Sequence, residues 1–320
     1  MSLKIGFLSK VDIHVDEVAA LFAPEPVLNF RTRGELAAGI GDLDVLIAMN
    51  QGYTQFTIDA EMLAKADKLK LVQHHGVAAD ITDVDAAAAR GIPVATVPGQ
   101  NCRSVAEQAM FLMLGLAKRA RTTQRLVEEG AMGDIVCSEL SGRMLCLVGL
   151  GTIGKMLVPM ARGFGMDVIG VRKDLSKDEG GIDGVERVFA VDALHTALAM
   201  ADYTMLVLPL NRETINIIDG RAFAVMKDGA ALVNLSRGGN VDRTALEAAL
   251  EGGRLAGYAT DVLWQEPHDP NDPLLKDERV FVTPHTGGKS IEAIQDTARA
   301  VYDNVMRLAR GEKLQGVLNE

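Results

Sequence analysis

The sequence predicts an α/β fold built as two doubly wound parallel-sheet domains with a cleft between them. Three observations predict it. Short β-branched or Leu-rich runs alternate with longer helical patterns through most of the chain. A glycine-rich turn joins one such run to a helix. At 320 residues the chain is also longer than one hydrophobic core ordinarily supports.

Composition narrows the function classes. The chain is 48% apolar and 24% charged, with no low-complexity tract, as a globular protein should be. A net charge of −10 argues against a non-specific nucleic-acid binder, which would carry a basic face, but leaves room for a local Arg/Lys cluster around a small anion. No apolar stretch approaches the ~20 residues a membrane span requires. The opening "MSLKIGFLSKVD" lacks the apolar region and cleavage site of a signal peptide. A cytoplasmic location, with no membrane and no nucleic-acid partner, is expected. Cys102, Cys137 and Cys146 form no CxxC pair and have no His at metal-ligand spacing, so neither a metal nor a disulfide is expected.

Taken in order, "KIGFLS", "DVLIAM", "LKLVQHH" and "PVATVP" are four strand candidates in the first hundred residues, with helical "VDEVAALFA" and "TIDAEMLAKAD" between them. "SVAEQAMFLMLGLAKRARTTQRLVEEG" reads as one long helix, with Ser104 as N-cap and Glu107 three residues on completing a capping box. A second strand series starts at "MLCLVGLG" and runs through "DVIGV", "ERVF", "YTMLVLPL", "GAALVNLS", "LAGYATDVL" and "VFVTPH". The final "SIEAIQDTARAVYDNVMRLARGE" is a helix with no strand after it, able to return to the first domain. The expected domains are therefore 1–100 with 288–320, on the substrate side, and 101–287, on the dinucleotide side.

The turn "LCLVGLGTIGKML" places Gly149, Gly151 and Gly154 in GxGxxG spacing. A strand before it, a helix after it and a second strand near Val171 complete a Rossmann-like unit. Each glycine has a task there: Gly149 allows the tight turn, Gly151 lets the backbone approach a pyrophosphate, and Gly154 lets helix and strand pack closely. The free N–H groups at the helix start, around Thr152 and Ile153, would face the phosphate charge. Pro159 should kink or break that helix. Arg172 follows Gly154 by 18 residues, where a carboxylate usually holds the adenosine ribose. A guanidinium gives up the ribose hydroxyls and gains a charge-assisted pairing with a 2′-phosphate, and Lys173 adds a second cation. NADP is thus expected over NAD, with Asp174 the residue that could restore a ribose carboxylate.

Three polar motifs close successive strands downstream: "LVNLSRGGNVD", "GYATDVLWQEP" and "VFVTPHTGGKS". In open α/β sheets ligands bind at the carboxyl ends of the strands, so these turns can converge. Arg237 can bind a carboxylate with its planar fork and polarise the adjacent carbonyl of a 2-oxo acid. His285 can protonate the developing alkoxide as hydride arrives. Glu266 beside it would orient the ring and favour its protonated form.

With those motifs in hand, the chain resembles the D-isomer-specific 2-hydroxyacid dehydrogenase family. "GIPVATVPGQNCRSVAEQAMFLML", "GLGTIGKML", "LPLNRETINIID", "LVNLSRGGNVDRTAL", "ATDVLWQEP" and "TPHTGGKS" carry the resemblance over nearly its whole length. It implies Arg237, Glu266 and His285 as the catalytic trio, and backbone around Val77 and Ala78 as holder of the substrate carboxylate. It also implies Asp261 at the nicotinamide carboxamide, Pro209, Ser236 and Gly287 lining the cofactor, and a homodimer formed in part by the helix near Ser104.

The chain departs from the family where "HHGVAADITDVD" stands in place of GVGVDNID. Ala78 replaces a glycine, His74 and His75 precede it, and His75 could reach the substrate. Trp264, the only tryptophan, replaces a polar residue and could wall the cleft or cover the hinge. No cationic cluster for a substrate phosphate is evident, which favours glyoxylate or hydroxypyruvate. The alternatives are a D-lactate- or phosphoglycerate-type dehydrogenase, and a non-catalytic nucleotide-sensing scaffold like the corepressors that share the fold. Formate oxidation on the same scaffold would want an Asn/Gln-rich substrate wall.

Overall fold

The computed structural model describes residues 3–9, 12–49, 57–178 and 181–319. The chain divides into two compact units, Met1–Asn101 with Lys289–Glu320, and Cys102–Gly288. The first holds strands β1 (Ile5–Leu8), β2 (Val27–Phe30), β3 (Val45–Ala48), β4 (Leu71–His74) and β5 (Val94–Ala95), with helices α1 (Asp12–Phe22), α2 (Arg33–Gly39), α3 (Ala60–Ala64) and α4 (Val84–Ala89) between them. All the pairings are parallel, in the order β2-β1-β3-β4-β5. β2, "VLNF", is absent from the sequence expectation. It is an edge strand with a half-exposed face, and its polar Asn29 interrupts the apolar run.

The second unit opens with α5 (Cys102–Ala117) and α6 (Ala120–Glu128) and continues through β6 (Met144–Val148), α7 (Thr152–Gly163), β7 (Asp167–Arg172), β8 (Arg187–Ala190), α8 (Leu194–Met200), β9 (Tyr203–Leu206), α9 (Gly220–Val225), β10 (Ala230–Asn234), α10 (Arg243–Glu251), β11 (Leu255–Thr260) and β12 (Val280–Val282). Its seven strands are all parallel, in the order β12-β11-β10-β9-β6-β7-β8. The order reverses between β6 and β9, which opens a crevice at their carboxyl ends.

Burial on both faces explains why these strands read as continuous apolar runs. Along β6, Leu145 and Leu147 enter one cluster with Leu112, Leu157 and Val233, while Cys146 and Val148 enter the opposite one with Leu198, Phe223 and Tyr258. The period-two alternation thus fills two cores, one under each layer of helices. Cys146 is one of these core atoms.

Three helix expectations need correction. The long helix is two helices: Arg119 adopts φ 49° between α5 and α6 and turns the chain. Helix α5 begins at Cys102, so Ser104 lies inside it and caps nothing; its hydroxyl instead donates to the Gly287 carbonyl at 2.6 Å. Nor does Pro159 end α7, which runs on to Gly163. Pro159 sits on the exposed side of the helix.

The last helix, α11 (Ile291–Arg310), belongs to the first unit and is capped by the Ser290 hydroxyl, which accepts from Ala293 N at 3.1 Å. Its buried Asn304 donates to Gln73 Oε1 at 2.6 Å, and Gln73 in turn donates to the carbonyls of His74 and Ala95. Asn304 also receives Gln315 N and donates to Gln315 O, so both buried amides are satisfied and the C-terminal segment is tied to β4.

Three imidazoles are buried in this unit. His75 lies edge-on to His14, with ring centroids 5.0 Å apart, and tilts against Phe7 at 5.8 Å. His74 Nε2 is 2.8 Å from Thr82 Oγ1. Burial lowers all three: His14 to about 4, with the Lys289 charge adding; His74 to about 4, against the pull of Asp80; His75 to about 3, with His14 adding. All are therefore neutral at neutral pH. As pH falls below 6.5 the unfolded chain takes up protons that the folded unit refuses. Their contribution is complete above 6.5 and is lost as pH falls toward 4. The urea midpoint should accordingly drop between about pH 7 and about pH 5. His14→Phe, which keeps a ring in place, should flatten that slope by about 1.4 kcal/mol per pH unit, one proton's worth. An unchanged slope in equilibrium denaturation would contradict this.

Candidate active site

The turn between β6 and α7 is shaped by steric limits. Gly149 has φ 113°, and a Cβ there would lie 2.4 Å from the Val207 carbonyl oxygen; one on Gly154 would lie 2.2 Å from the Gly149 oxygen. Neither position admits a side chain. Gly151 faces open space, and as N-cap of α7 it supplies no side chain to the first N–H groups of that helix, at Thr152 and Ile153. A backbone open to close approach, with uncapped helix donors behind it, fits a dinucleotide pyrophosphate.

Half-buried Arg172 ends β7. Lys173 Nζ reaches Glu213 Oε2 at 2.5 Å. Asp174 Oδ1 accepts from Ser176 N at 3.0 Å and Ser176 Oγ at 2.6 Å. Pro209 follows β9, and its carbonyl accepts the Thr214 hydroxyl. Ser236 Oγ accepts Leu208 N at 2.9 Å and so joins the ends of β9 and β10.

Arg237, Glu266 and His285 lie in the turns that follow β10, β11 and β12, three adjacent strands. The backbone of Arg237 is held on both sides: its N–H donates to Asn240 Oδ1 at 3.0 Å, and its carbonyl accepts Asn234 Nδ2 at 2.9 Å. Its guanidinium donates to the Ser236 carbonyl at 2.8 Å. Glu266 Oε1 accepts Leu263 N at 2.9 Å, and Glu266 Oε2 lies 2.6 Å from His285 Nδ1. Burial acts to raise the Glu266 carboxyl, but the His285 hydrogen bond and charge, the Leu263 N–H and the Arg237 charge outweigh it. The net pKa lies below the ordinary value, so Glu266 stays ionised beside the ring. With Nδ1 engaged, Nε2 is the nitrogen left for a substrate.

His285 has φ 54°, a left-handed backbone unusual for a residue with a side chain. Buried Asp261 enforces it. Asp261 Oδ1 accepts the Thr283 hydroxyl at 2.5 Å and Thr286 N at 2.9 Å, and Oδ2 accepts Gly287 N at 2.7 Å. Gln108 Nε2, on α5, donates to the Thr283 hydroxyl at 2.9 Å. Asp261 and Gly287, expected along the cofactor, are thus bonded to each other and shape the His285 turn. The supporting residues Gln108, Thr283, Asn234 and Asn240 escape the sequence reading, because a buried amide or hydroxyl among apolar residues carries no motif.

In the first unit, Val77 is exposed and Ala78 half-buried just after β4, so their loop can receive a ligand. The His75 ring instead turns into the protein against Phe7 and His14, so packing, not substrate contact, is what its position describes. Trp264 also faces inward: its Nε1 donates to the Val241 carbonyl at 2.7 Å, its ring lies 6.2 Å from Tyr258, and the Arg243 guanidinium covers it at 5.7 Å. Among the described residues no three His, Cys, Asp or Glu side chains group as metal ligands, and no helix is long and apolar enough to cross a membrane.

Comparison with known proteins agrees with this geometry. Residues 110–287 match the family described as D-isomer specific 2-hydroxyacid dehydrogenase, NAD binding domain. A D-3-phosphoglycerate dehydrogenase of Methanocaldococcus jannaschii is 36% identical over 90% of this chain and 54% of its own length. The chain thus spans about half the length of such relatives. A glyoxylate reductase of Korarchaeum cryptofilum is 34% identical over 88% of this chain and 84% of its own. Among solved structures, a glyoxylate reductase from Paecilomyes thermophila superposes with a TM-score of 0.84 at 28% identity, covering 99% of both chains. The glycine turn, the three strand-end residues and these matches place the chain in the D-isomer-specific 2-hydroxyacid dehydrogenase family.

Proposed function

We propose that this chain reduces a small unphosphorylated 2-oxo acid, glyoxylate or hydroxypyruvate, to the corresponding 2-hydroxy acid, using NADPH in preference to NADH. The observation that supports it most directly is the 2.6 Å contact between His285 Nδ1 and Glu266, with the Arg237 charge acting on the same carboxylate.

A bound nicotinamide cofactor would supply the hydride, and the chain's own side chains do the rest. The Arg237 fork binds the substrate carboxylate and draws electron density toward the carbonyl oxygen. In the first unit, the backbone N–H groups of the loop at Val77 and Ala78 are the candidate substrate contacts. As hydride adds to the carbonyl carbon, the carbonyl π electrons move to oxygen, and the proton on His285 Nε2 passes to it. Ionised Glu266 holds Nδ1 and so orients the ring with Nε2 toward the substrate, and solvent supplies the next proton afterward.

Preference for the 2′-phosphorylated cofactor rests on Arg172 at the ribose position and on Asp174, whose carboxylate is engaged by Ser176. A homodimer formed through the second unit is part of the same reading. Phe111 on α5 and Val127, Met132 and Val136 beyond it are exposed apolar side chains within one stretch of chain. A cytoplasmic location also remains part of this reading.

A panel of 2-oxo acids assayed with each cofactor tests the proposal directly; failure to reduce any of them would overturn it. His285→Ala should lower kcat for reduction by about a thousandfold while cofactor affinity stays near normal. Glu266→Gln should lower kcat/KM by about a hundredfold, because the ring loses its anchoring charge. Arg172→Asp should move the NADPH/NADH ratio of kcat/KM by about tenfold or more toward NADH. A wild-type preference for NADH would overturn the cofactor assignment.

A further inference from the structure

The ion pair between Lys173 and Glu213 joins residues 40 apart in sequence. Lys173 follows β7 and Glu213 lies in the loop that follows β9. In the sheet these strands flank β6, whose carboxyl end carries the glycine turn. The pair therefore spans the mouth of that turn, on the side where a dinucleotide seated on α7 directs its adenosine ribose. Both side chains are well exposed, 76% and 64%, and exposed pairs contribute little to folding.

The Glu213 loop is braced. Glu213 N donates to Asn211 Oδ1 at 2.9 Å, Asn211 N to Thr214 Oγ1 at 2.8 Å, and Thr214 Oγ1 to the Pro209 carbonyl at 2.7 Å. Asn240 Nδ2 donates to the Thr214 carbonyl at 3.0 Å, and Asn216 N to the Gly239 carbonyl at 2.8 Å. The carboxylate is thus carried on a backbone fixed to the turn that holds Arg237.

We propose that Glu213 is a specificity-determining residue at the adenosine end of the site, holding Lys173 as a counter-ion that a 2′-phosphate must displace. This rests on the cofactor reading given above. Arg172 and Lys173 attract the phosphate; Glu213 competes for Lys173 and repels the same phosphate. A ribose bearing only hydroxyls carries no charge there and is indifferent to that competition. Glu213 therefore moderates the preference for NADP(H), and its removal sharpens it.

The fragments adenosine 2′,5′-bisphosphate and 5′-AMP isolate this end of the site from the chemistry. Isothermal titration of the full chain should show Glu213→Gln binding the bisphosphate about fivefold more tightly, with 5′-AMP changed less than about twofold. Lys173→Gln should weaken the bisphosphate about fivefold and leave 5′-AMP alone. A Glu213→Gln variant with an unchanged ratio of the two affinities would overturn the assignment, as would equal shifts in both, the result that loop bracing alone predicts. A wild type that favours 5′-AMP, with Glu213→Gln still raising the ratio, would overturn the NADP reading and leave Glu213 in its role. Binding of neither fragment would overturn both.

Discussion

Most of the candidate site depends on one carboxylate. Asp261, at the end of β11, accepts hydrogen bonds from Thr283, Thr286 and Gly287 and so clamps the turn that closes β12. Hydrogen bonds to a carboxylate are stronger than neutral ones, and a buried carboxylate left unpaired is costly. The clamp therefore has the energy to hold His285 in a left-handed backbone that its side chain disfavours. That conformation brings Nδ1 to Glu266, and Leu263 N steadies Glu266 from the other side. The geometry of the His285–Glu266 pair is thus fixed by a residue that is itself buried.

Support for this clamp comes from α5. Gln108 orders the Thr283 hydroxyl and Ser104 ties down the Gly287 carbonyl, so a helix that precedes the sheet in sequence buttresses its last turn. The same economy appears at the glycine turn, where Gly154 and Gly149 approach each other too closely for any side chain. Both places show backbone conformation, more than side-chain chemistry, deciding where the reactive groups can stand.

The glycine turn, the strand-end positions of Arg237, Glu266 and His285 and the strand series were legible because each depends on short-range spacing: three glycines at a strand-to-helix turn, or polar residues just beyond apolar runs. Other features depend on contacts distant in sequence. Ser104 has every local mark of an N-cap, yet its hydroxyl serves a carbonyl 183 positions away. Nothing local distinguishes Arg119 as the point where one apolar helical pattern becomes two helices. Pro159 does not break α7, which continues to Gly163. His75 lies beside Val77 and Ala78 in sequence, but its direction is set by the rings of Phe7 and His14. The bonds from Ser176 to Asp174 Oδ1 belong to a turn that opens only after β7 and carry no motif of their own.

The discontinuity of the first unit has a consequence for biosynthesis. Its sheet is encoded before residue 101, yet helix α11 and the segment that pairs with it come only after the whole second unit. Until Asn304 has been made, the buried Gln73 Oε1 on β4 lacks its donor, and until Val317 has been made, Ala95 on β5 lacks its antiparallel bridge. The second unit is contiguous and can close its own core as soon as it leaves the ribosome. The first unit must wait, with one face of its sheet covered by α1 alone, through the synthesis of nearly two hundred further residues. During that interval it is the part of the nascent chain most in need of protection from association with other unfinished chains.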